Sequence, residues 1–381
     1  MMDDRIKLFD ASTIETVAWP ATADGEYAKK FLVPLIKNGV SHYIDNIETN
    51  LLALSIDDLV LPITINDSQY MNCYVCSPYG QYVTYAQEYI EKIKNNWVKR
   101  PLLLLVSCMG KMLRLGEINK VVVVNNWLFS INLYPHITQE QVSAIKSYLQ
   151  KRFPAHAILF RSIHTYGSKA LYKTFEHNHF SLIASRPIYF LKTHDESVFS
   201  SRIFKSDYKL LRESTHEVVS DPGISFSEAQ QITSLYQSVY LERHSMLNPQ
   251  WNVRFVELAF NNKILNLKAL RKNGRIEAVA GYYCRNGMMT SPFLGYDISL
   301  PVENKLYRLT CTVLTQEARD RKLLFHLSSG ASFFKKIRKA EASIEYMAVC
   351  HKHLPFLRRV PWVVLRGLSN TLGIAFMKRF D

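Results

Sequence analysis

The sequence predicts an α+β chain of two tandem domains, each a mixed, mostly antiparallel sheet flanked by helices. Three observations predict it. At 381 residues the chain is long enough for two cores. The order strand, helix, strand, helix, strand is read twice, once from Val121 and once from Met288. Two Asn-Gly pairs, Asn273-Gly274 and Asn286-Gly287, sit between alternating segments, the strongest short hairpin signal, so the second copy opens as an antiparallel meander. The polar run THDESVFSSRIF marks the join, giving a first domain over 1–195 and a second over 196–381.

In chain order, residues 1–45 are weakly patterned apart from a helical stretch near 28–37. Residues 51–65 and 70–76 alternate or run apolar between Asp and Asn turn signals and read as two strands of a meander. A helix is expected over 85–97, and KRPLLLLVSCMG after it reads as an apolar strand. The first copy then runs VVVVNNWLFSINLY, TQEQVSAIKSYLQKRF, HAILFRSI, SKALYKTFEHN, FSLIASRPIYFL. Helices over 227–244 and 251–260 precede the hairpins. The second copy runs MMTSPFLGY, ENKLYRLTCTVLTQEARD, LLFHLS, SFFKKIRK, SIEYMAV. In each copy about thirty residues separate the starts of the first two strands, the length of a βαβ crossover. Leu306, Leu309 and Val313, with Cys311, Leu314 and Ala318 beside them, give the second crossover helix an apolar face, and Pro301 fits its first turn.

Composition is that of a folded chain, 48% hydrophobic and 12% aromatic. The net charge of +14 is uneven: residues 321–381 hold twelve Lys or Arg against three acids, so +9 lies in the final sixth. That concentration points to an anionic partner: a nucleotide-tailed cofactor, an acidic carrier protein, tRNA or an anionic membrane. Six scattered cysteines without a signal peptide lead us to expect reduced thiols in a cytoplasmic protein. A lone CxxC at Cys73 and Cys76, and the group Cys350, His351 and His353, lack the four suitably spaced ligands of a zinc site. His177 and His179 end a helix, so no metal is expected. No apolar run reaches the roughly 18 residues of a membrane span, and the tail PWVVLRGLSNTLGIAFMKRF is at most an interfacial helix.

The segment from Met288 to Lys339 concentrates the chemistry. Its second strand delivers Ser328, Ser329 and Gly330 into a short helix with Lys335, Lys336, Arg338 and Lys339. Helix starts beside a cation cluster suit a phosphate-bearing ligand. Together with YLERHSMLNPQ, ALRKNGRIEAVAGYY, IEYMAV and HLPFLRRVPW, these runs resemble the GNAT acyltransferase superfamily, in particular its two-domain branch that shades into the Fem-type transferases. SSGA followed by Phe334 and Lys335 is similar to the G…FK signature of that branch.

The resemblance implies acyl transfer from a thioester to an amine. That reaction needs loss of the amine proton, a donor for the oxyanion, help for the leaving thiolate and a donor held in register. It further implies that a pantetheine arm lies along 292–297, past Leu294 and Gly295. The phosphates would meet Lys305, Tyr307 and Arg308, with Ser329, Gly330, Phe334, Lys335 and Arg338 opposite. The loop ISLPVENKLYR lacks the family's glycines, which hinders close backbone approach to a pyrophosphate. Either Lys305, Arg308, Lys335 and Arg338 grip acyl-coenzyme A by charge-assisted contacts, or the donor is an acidic acyl carrier protein bearing one phosphate. Candidate bases are Asp297, which is also an ordinary turn residue, His244 with its suitable ordinary pKa, and Glu345, which could equally pair with Arg338 or Lys339. Phe333 and Phe334 stand where the family often has a tyrosine acid, so Tyr346 or Tyr307 would substitute.

The expected function is an N-acyltransferase using acyl-coenzyme A or acyl carrier protein, fatty acyl donors included, on an amine of an amino acid, peptide or lipid precursor. A Fem-type transfer from charged tRNA is the alternative, although no coiled-coil arm or extended basic-aromatic face favours nucleic acid. A binding module without catalysis is the third reading.

Overall fold

The computed structural model describes residues 5–167, 169–221 and 223–380. Twelve strands among them form one sheet, in the order β1-β2-β3-β4-β5-β12-β6-β11-β10-β9-β8-β7. The first six are β1 (Ile6–Phe9), β2 (Asn50–Ile56), β3 (Leu59–Asn66), β4 (Val121–Val124), β5 (Ala157–His164) and β6 (Ser181–Lys192). The second six are β7 (Glu217–Ser220), β8 (Asn266–Lys272), β9 (Arg275–Arg285), β10 (Met288–Tyr296), β11 (Leu324–His326) and β12 (Glu341–Cys350). Neighbours are antiparallel except β4 with β5 and β10 with β11. The expected mixed, mostly antiparallel sheet flanked by helices is what the chain forms.

Exchanging each strand for the one six places away reverses the order of the sheet onto itself. Two copies of one topology are therefore joined about a pseudo-two-fold axis between β6 and β12. In both crossovers the paired residues stand 36 positions apart, Val121 with Ala157 and Met288 with Leu324. The last strand of each half has changed sides: β12 pairs with β5, and β6 pairs with β11.

Helices cover both faces. Those of the first half are α1 (Ala23–Asn38), α2 (Tyr85–Glu91), α3 (Asn96–Leu115), α4 (Gln139–Arg152) and α5 (Lys169–His177). The second half has α6 (Glu196–Phe199), α7 (Arg202–Glu213), α8 (Phe226–Tyr236), α9 (Val253–Asn261), α10 (Leu306–Asp320), α11 (Ser332–Lys336), α12 (Phe356–Leu368) and α13 (Ile374–Phe380). Capping boxes start α4 at Thr138 with Gln141 and α8 at Ser225 with Glu228. Both Asn-Gly pairs have positive φ and close two-residue hairpins, between Lys272 and Arg275 and between Arg285 and Met288. The central core unites α1, α8 and α9 with loop residues Tyr74, Trp127 and Phe129. Crossover helix α4 packs on Ile158 and Phe160, and α10 packs on Met289 and Phe325.

Four expectations need correction. KRPLLLLVSCMG is the middle of helix α3 and not a strand, because Trp97, Pro101, Leu104, Cys108 and Leu115 repeat at helical spacing, which the run of four leucines masks. Residues 70–76 form turns, held by the Cys73 N–H on the Asn46 carbonyl and by the Asn72 side chain on Glu48. Residues 51–65 are two strands, turned at Asp57 with φ 50°. Pro301 precedes a separate 3₁₀ turn, and α10 starts at Leu306 behind a left-handed Lys305. Ser168, where a helix was expected to begin, lies outside the described residues.

The exchanged strands make a testable demand. A fragment of residues 1–195 lacks β12 and bares the edge of β5, so it is expected to aggregate or lack dispersed amide NMR signals alone. Co-expression with 196–381 should restore both. An independently folded 1–195 fragment would show that the seam is dispensable.

Candidate active site

Strand β10 holds β11 only from Met288 to Thr290. A register shift follows between Thr290 and Phe293, around Pro292. Beyond it, Phe293–Tyr296 pair only with β9. The chain after β11 stays instead with β6, through the Leu327 N–H on the Tyr189 carbonyl at 2.8 Å. The parallel pair therefore opens as a fork. Its floor is tight: a Cβ on Gly295 would lie 2.6 Å from the Leu235 carbonyl carbon and the Tyr236 nitrogen. Gly295 lets α8 press against the strand, a packing role, and Leu294 beside it is buried. At the mouth stands the first turn of α10, whose first intrahelical bond is from Leu309 N–H to the Lys305 carbonyl. The N–H groups of Leu306, Tyr307 and Arg308 precede that bond.

Lys335 is the distinctive group at the fork. It is 6% exposed, on α11, and its Nζ donates to the carbonyls of Ser329 at 2.8 Å and Ser328 at 3.2 Å. Burial is the main cause that brings its pKa down from 10.5 to about 7. The loop beneath it is strained at Ser328 and Ala331, both at positive φ, while Gly330 between them takes positive φ at no cost. Burial also pushes the nearby Cys311 thiol up to about 11. Tyr307 lies between Tyr296 and Phe334, at ring distances of 6.0 and 5.0 Å. Burial and then Cys311 raise its hydroxyl pKa.

On the other side of the fork Glu345, 3% exposed, meets Arg186 across β12 and β6. Arg186 Nε and Nη2 donate to its two carboxylate oxygens at 3.0 and 3.2 Å, and Nη2 also reaches the Ser130 carbonyl. Burial works against the Arg186 charge, but Glu345 and Tyr74 outweigh it and raise its pKa. Arg186 and Arg161 both act on Tyr74, whose pKa burial raises to about 12. Arg161 is 5% exposed, bonds only to Asn126 Oδ1 and the Phe129 carbonyl, and has no acidic partner among the described residues. Tyr240 lies within electrostatic reach of Tyr74, Tyr85, Cys311 and Arg186, so residues from both halves converge here.

Of the expected set, the structure sets Tyr307 against Phe334 with Lys335 next to it on α11, while Glu345 is held by Arg186, whose charge reaches Lys335. It assigns other residues elsewhere. Asp297 accepts from Arg275 Nη2 at 2.7 Å and from the Ser299 N–H and hydroxyl, and so holds a turn. Arg308 and Arg338 both grip the buried Asp207, at 2.5 and 2.7 Å, and dock α7 onto α10 and α11. Tyr346 packs on Tyr172, 5.6 Å between rings, on the α5 side. His244 is solvent-accessible at the rim, edge-on to Tyr240. Partial burial, then Lys92 and Arg243, lower its pKa. Lys305 and Gly330 are exposed. Sequence reasoning missed Arg186, Arg161, Tyr74, Tyr240 and Cys311. The usable signal was the single Arg in SLIASRPIYFLK, opposite the second of the two glutamates in EASIEYMAVC. No group of three or more His, Cys, Asp or Glu among the described residues could hold a metal.

No family model matches the chain, and no curated protein matches it. Solved structures do. L-PGS from Bacillus licheniformis is similar over 60% of this chain and 78% of its own, at 12% identity and TM-score 0.43. FemX is similar over 56% and 78%, at 9% identity and TM-score 0.43. A GCN5-related N-acetyltransferase from Kribbella flavida is similar over 61% and 83%, at 12% identity and TM-score 0.33. At these scores they register a likeness only, and the reading of the site rests on its own geometry.

Two stability effects are expected. Glu345→Gln leaves the half-buried Arg186 without its counter-charge and should cost about 1–3 kcal/mol in urea denaturation, whereas Arg186→Met with Glu345→Met should recover much of it. Because the folded pKa of Lys335 is depressed, burying its charge costs fully below pH 7. The cost fades as pH rises from about 7 towards 10.5. Lys335→Met should therefore raise Tm at pH 6 and flatten the gain in Tm of the parent protein between pH 7 and 10.

Proposed function

We propose that the protein is a transferase that moves an acyl group from a thioester, acyl-coenzyme A or acyl carrier protein, to the amine of an acceptor bearing an anionic group. One observation carries this reading: a buried lysine, half neutral near pH 7, at the fork of a parallel strand pair. In its neutral form Lys335 gives both N–H groups to the Ser328 and Ser329 carbonyls, which leaves a lone pair free to accept a proton. It takes one proton from the acceptor's ammonium, and the freed amine attacks the carbonyl carbon to form the C–N bond. The C–S bond then breaks as the nitrogen's second proton goes to the departing thiolate, and Lys335 returns the first proton to solvent. The open edge of residues 293–296 suits an extended thioester arm, and the first turn of α10 suits its phosphate. Arg161 and Arg186, with Glu345 as the single acid facing them, suit a carboxylate or phosphate on the acceptor. An amino acid, a peptide or a phosphate-bearing lipid precursor supplies such a group.

The experiment is a single-turnover assay with labelled acyl-coenzyme A and acyl carrier protein over pH 5–9. The rate should rise through a midpoint near pH 7. Lys335→Arg, always charged, should lower the plateau by about 10²–10⁴-fold while leaving donor binding intact. A fully active Lys335→Arg variant would remove the base from this reading. Activity only with aminoacyl-tRNA, abolished by ribonuclease, would overturn the donor class but keep the site.

A further inference from the structure

Helix α3 presents Trp97, Leu104, Leu105 and Leu115 at 92, 67, 44 and 87% exposure, while its other face buries Val106, Gly110 and Leu113 in the core. Within α3 there are four cations, Lys99, Arg100, Lys111 and Arg114, and no acid. The end of α3 abuts α12: Gly116 sits against the Pro361 ring, and Arg358 pairs with Glu117 at 3.2 Å. From α12 through a π-turn into α13, Phe356–Met377 form a second apolar helix, with mean hydropathy 1.2 and only 17% of its most apolar stretch buried. It too lacks acids. Phe356, Leu357, Val363 and Leu372 are exposed, and Arg358, Arg359 and Arg366 interrupt them. This corrects the expectation that no stretch reaches span length, since the helix runs unbroken through the arginines that divide the sequence.

We propose that α3 and α12–α13 form a docking face for the surface of an anionic phospholipid bilayer. The charge pattern selects this occupant. Two adjacent helices without one acid, each with an exposed apolar stripe flanked by cations, match a negatively charged interface with an apolar interior. The neighbouring acids Glu91 and Glu117 are already paired with Lys99 and Arg358. The helices lie on the interface and do not cross it, because Val106, Leu113, Trp362 and Leu365 bind them to the core under β4 and β12. This inference does not depend on the proposed transfer reaction.

The test is co-sedimentation of the full chain with vesicles of phosphatidylcholine alone or mixed with phosphatidylglycerol. Binding to the mixed vesicles should be tighter by at least about tenfold, be reversed by salt and blue-shift the fluorescence of exposed Trp97. Trp97→Ser with Leu104→Ser, and separately Arg100→Glu with Lys111→Glu, should each abolish binding with unchanged circular dichroism and Tm. Equal binding to both vesicle types, binding untouched by either variant, or resistance to salt and alkaline carbonate would overturn the proposal. So would a concentration-dependent dimer, lost in the variants, without vesicle binding.

Discussion

The ion pair between Arg186 and Glu345 stands at the seam where the two halves of the sheet meet, and much of the molecule depends on it. Each residue belongs to the strand that its half contributes to the other half. A buried pair of this kind gains little over an apolar pair in net stability, yet either partner left alone is costly. Its effect is therefore on specificity. It fixes which residue of β6 faces which residue of β12, next to the irregularity that follows Glu345 in that pairing.

Register at the seam determines what lies at the fork. Strand β6 carries Tyr189, whose carbonyl and N–H hold Leu327 and Ser328. The strained loop of residues 328–331 follows, and its carbonyls receive the ammonium of Lys335. Exchange of strands thus makes the second half's lysine depend on a strand of the first half. The Tyr189 ring, 5.2 Å below Nζ, completes the enclosure that lowers the lysine's affinity for a proton. The cations that looked free in sequence are spent differently, with Arg308 and Arg338 sharing Asp207. One acid between two guanidiniums anchors α7 and so braces the crossover helix whose first turn faces the fork.

Much of this was legible beforehand. The Asn-Gly turns, the two crossovers and the meander of the second half follow from local chemistry, because turn geometry and hydrophobic period are properties of neighbouring residues. Phe334 and Lys335 were picked out by pattern as donor contacts and Glu345 as a candidate base or ion-pair partner; the Ser328 and Ser329 carbonyls hold Lys335 in a different place from the one expected, and Glu345 pairs with Arg186. The misreading of α3 has a local cause. Four consecutive leucines in α3 satisfy both a strand and a helix, and the exposure of Trp97 and Leu104 removes the polar face that would have told them apart. Asp297 was offered as a base although a turn residue was the ordinary reading, and its contacts with Arg275 and Ser299 become visible only in the fold.

By itself the sequence determined the order of elements, the duplication and the excess of cations near the C-terminal end. These rest on interactions a few residues long and on a sum of charges. Tertiary structure alone decided that the halves exchange their last strands, that Arg186 reaches both Lys335 and, with Arg161, Tyr74, and that a lysine titrates near neutrality. Pairings across 159 positions, such as Arg186 with Glu345, leave no periodic trace in a single chain. A pKa set by burial likewise exists only once distant segments have closed around the group.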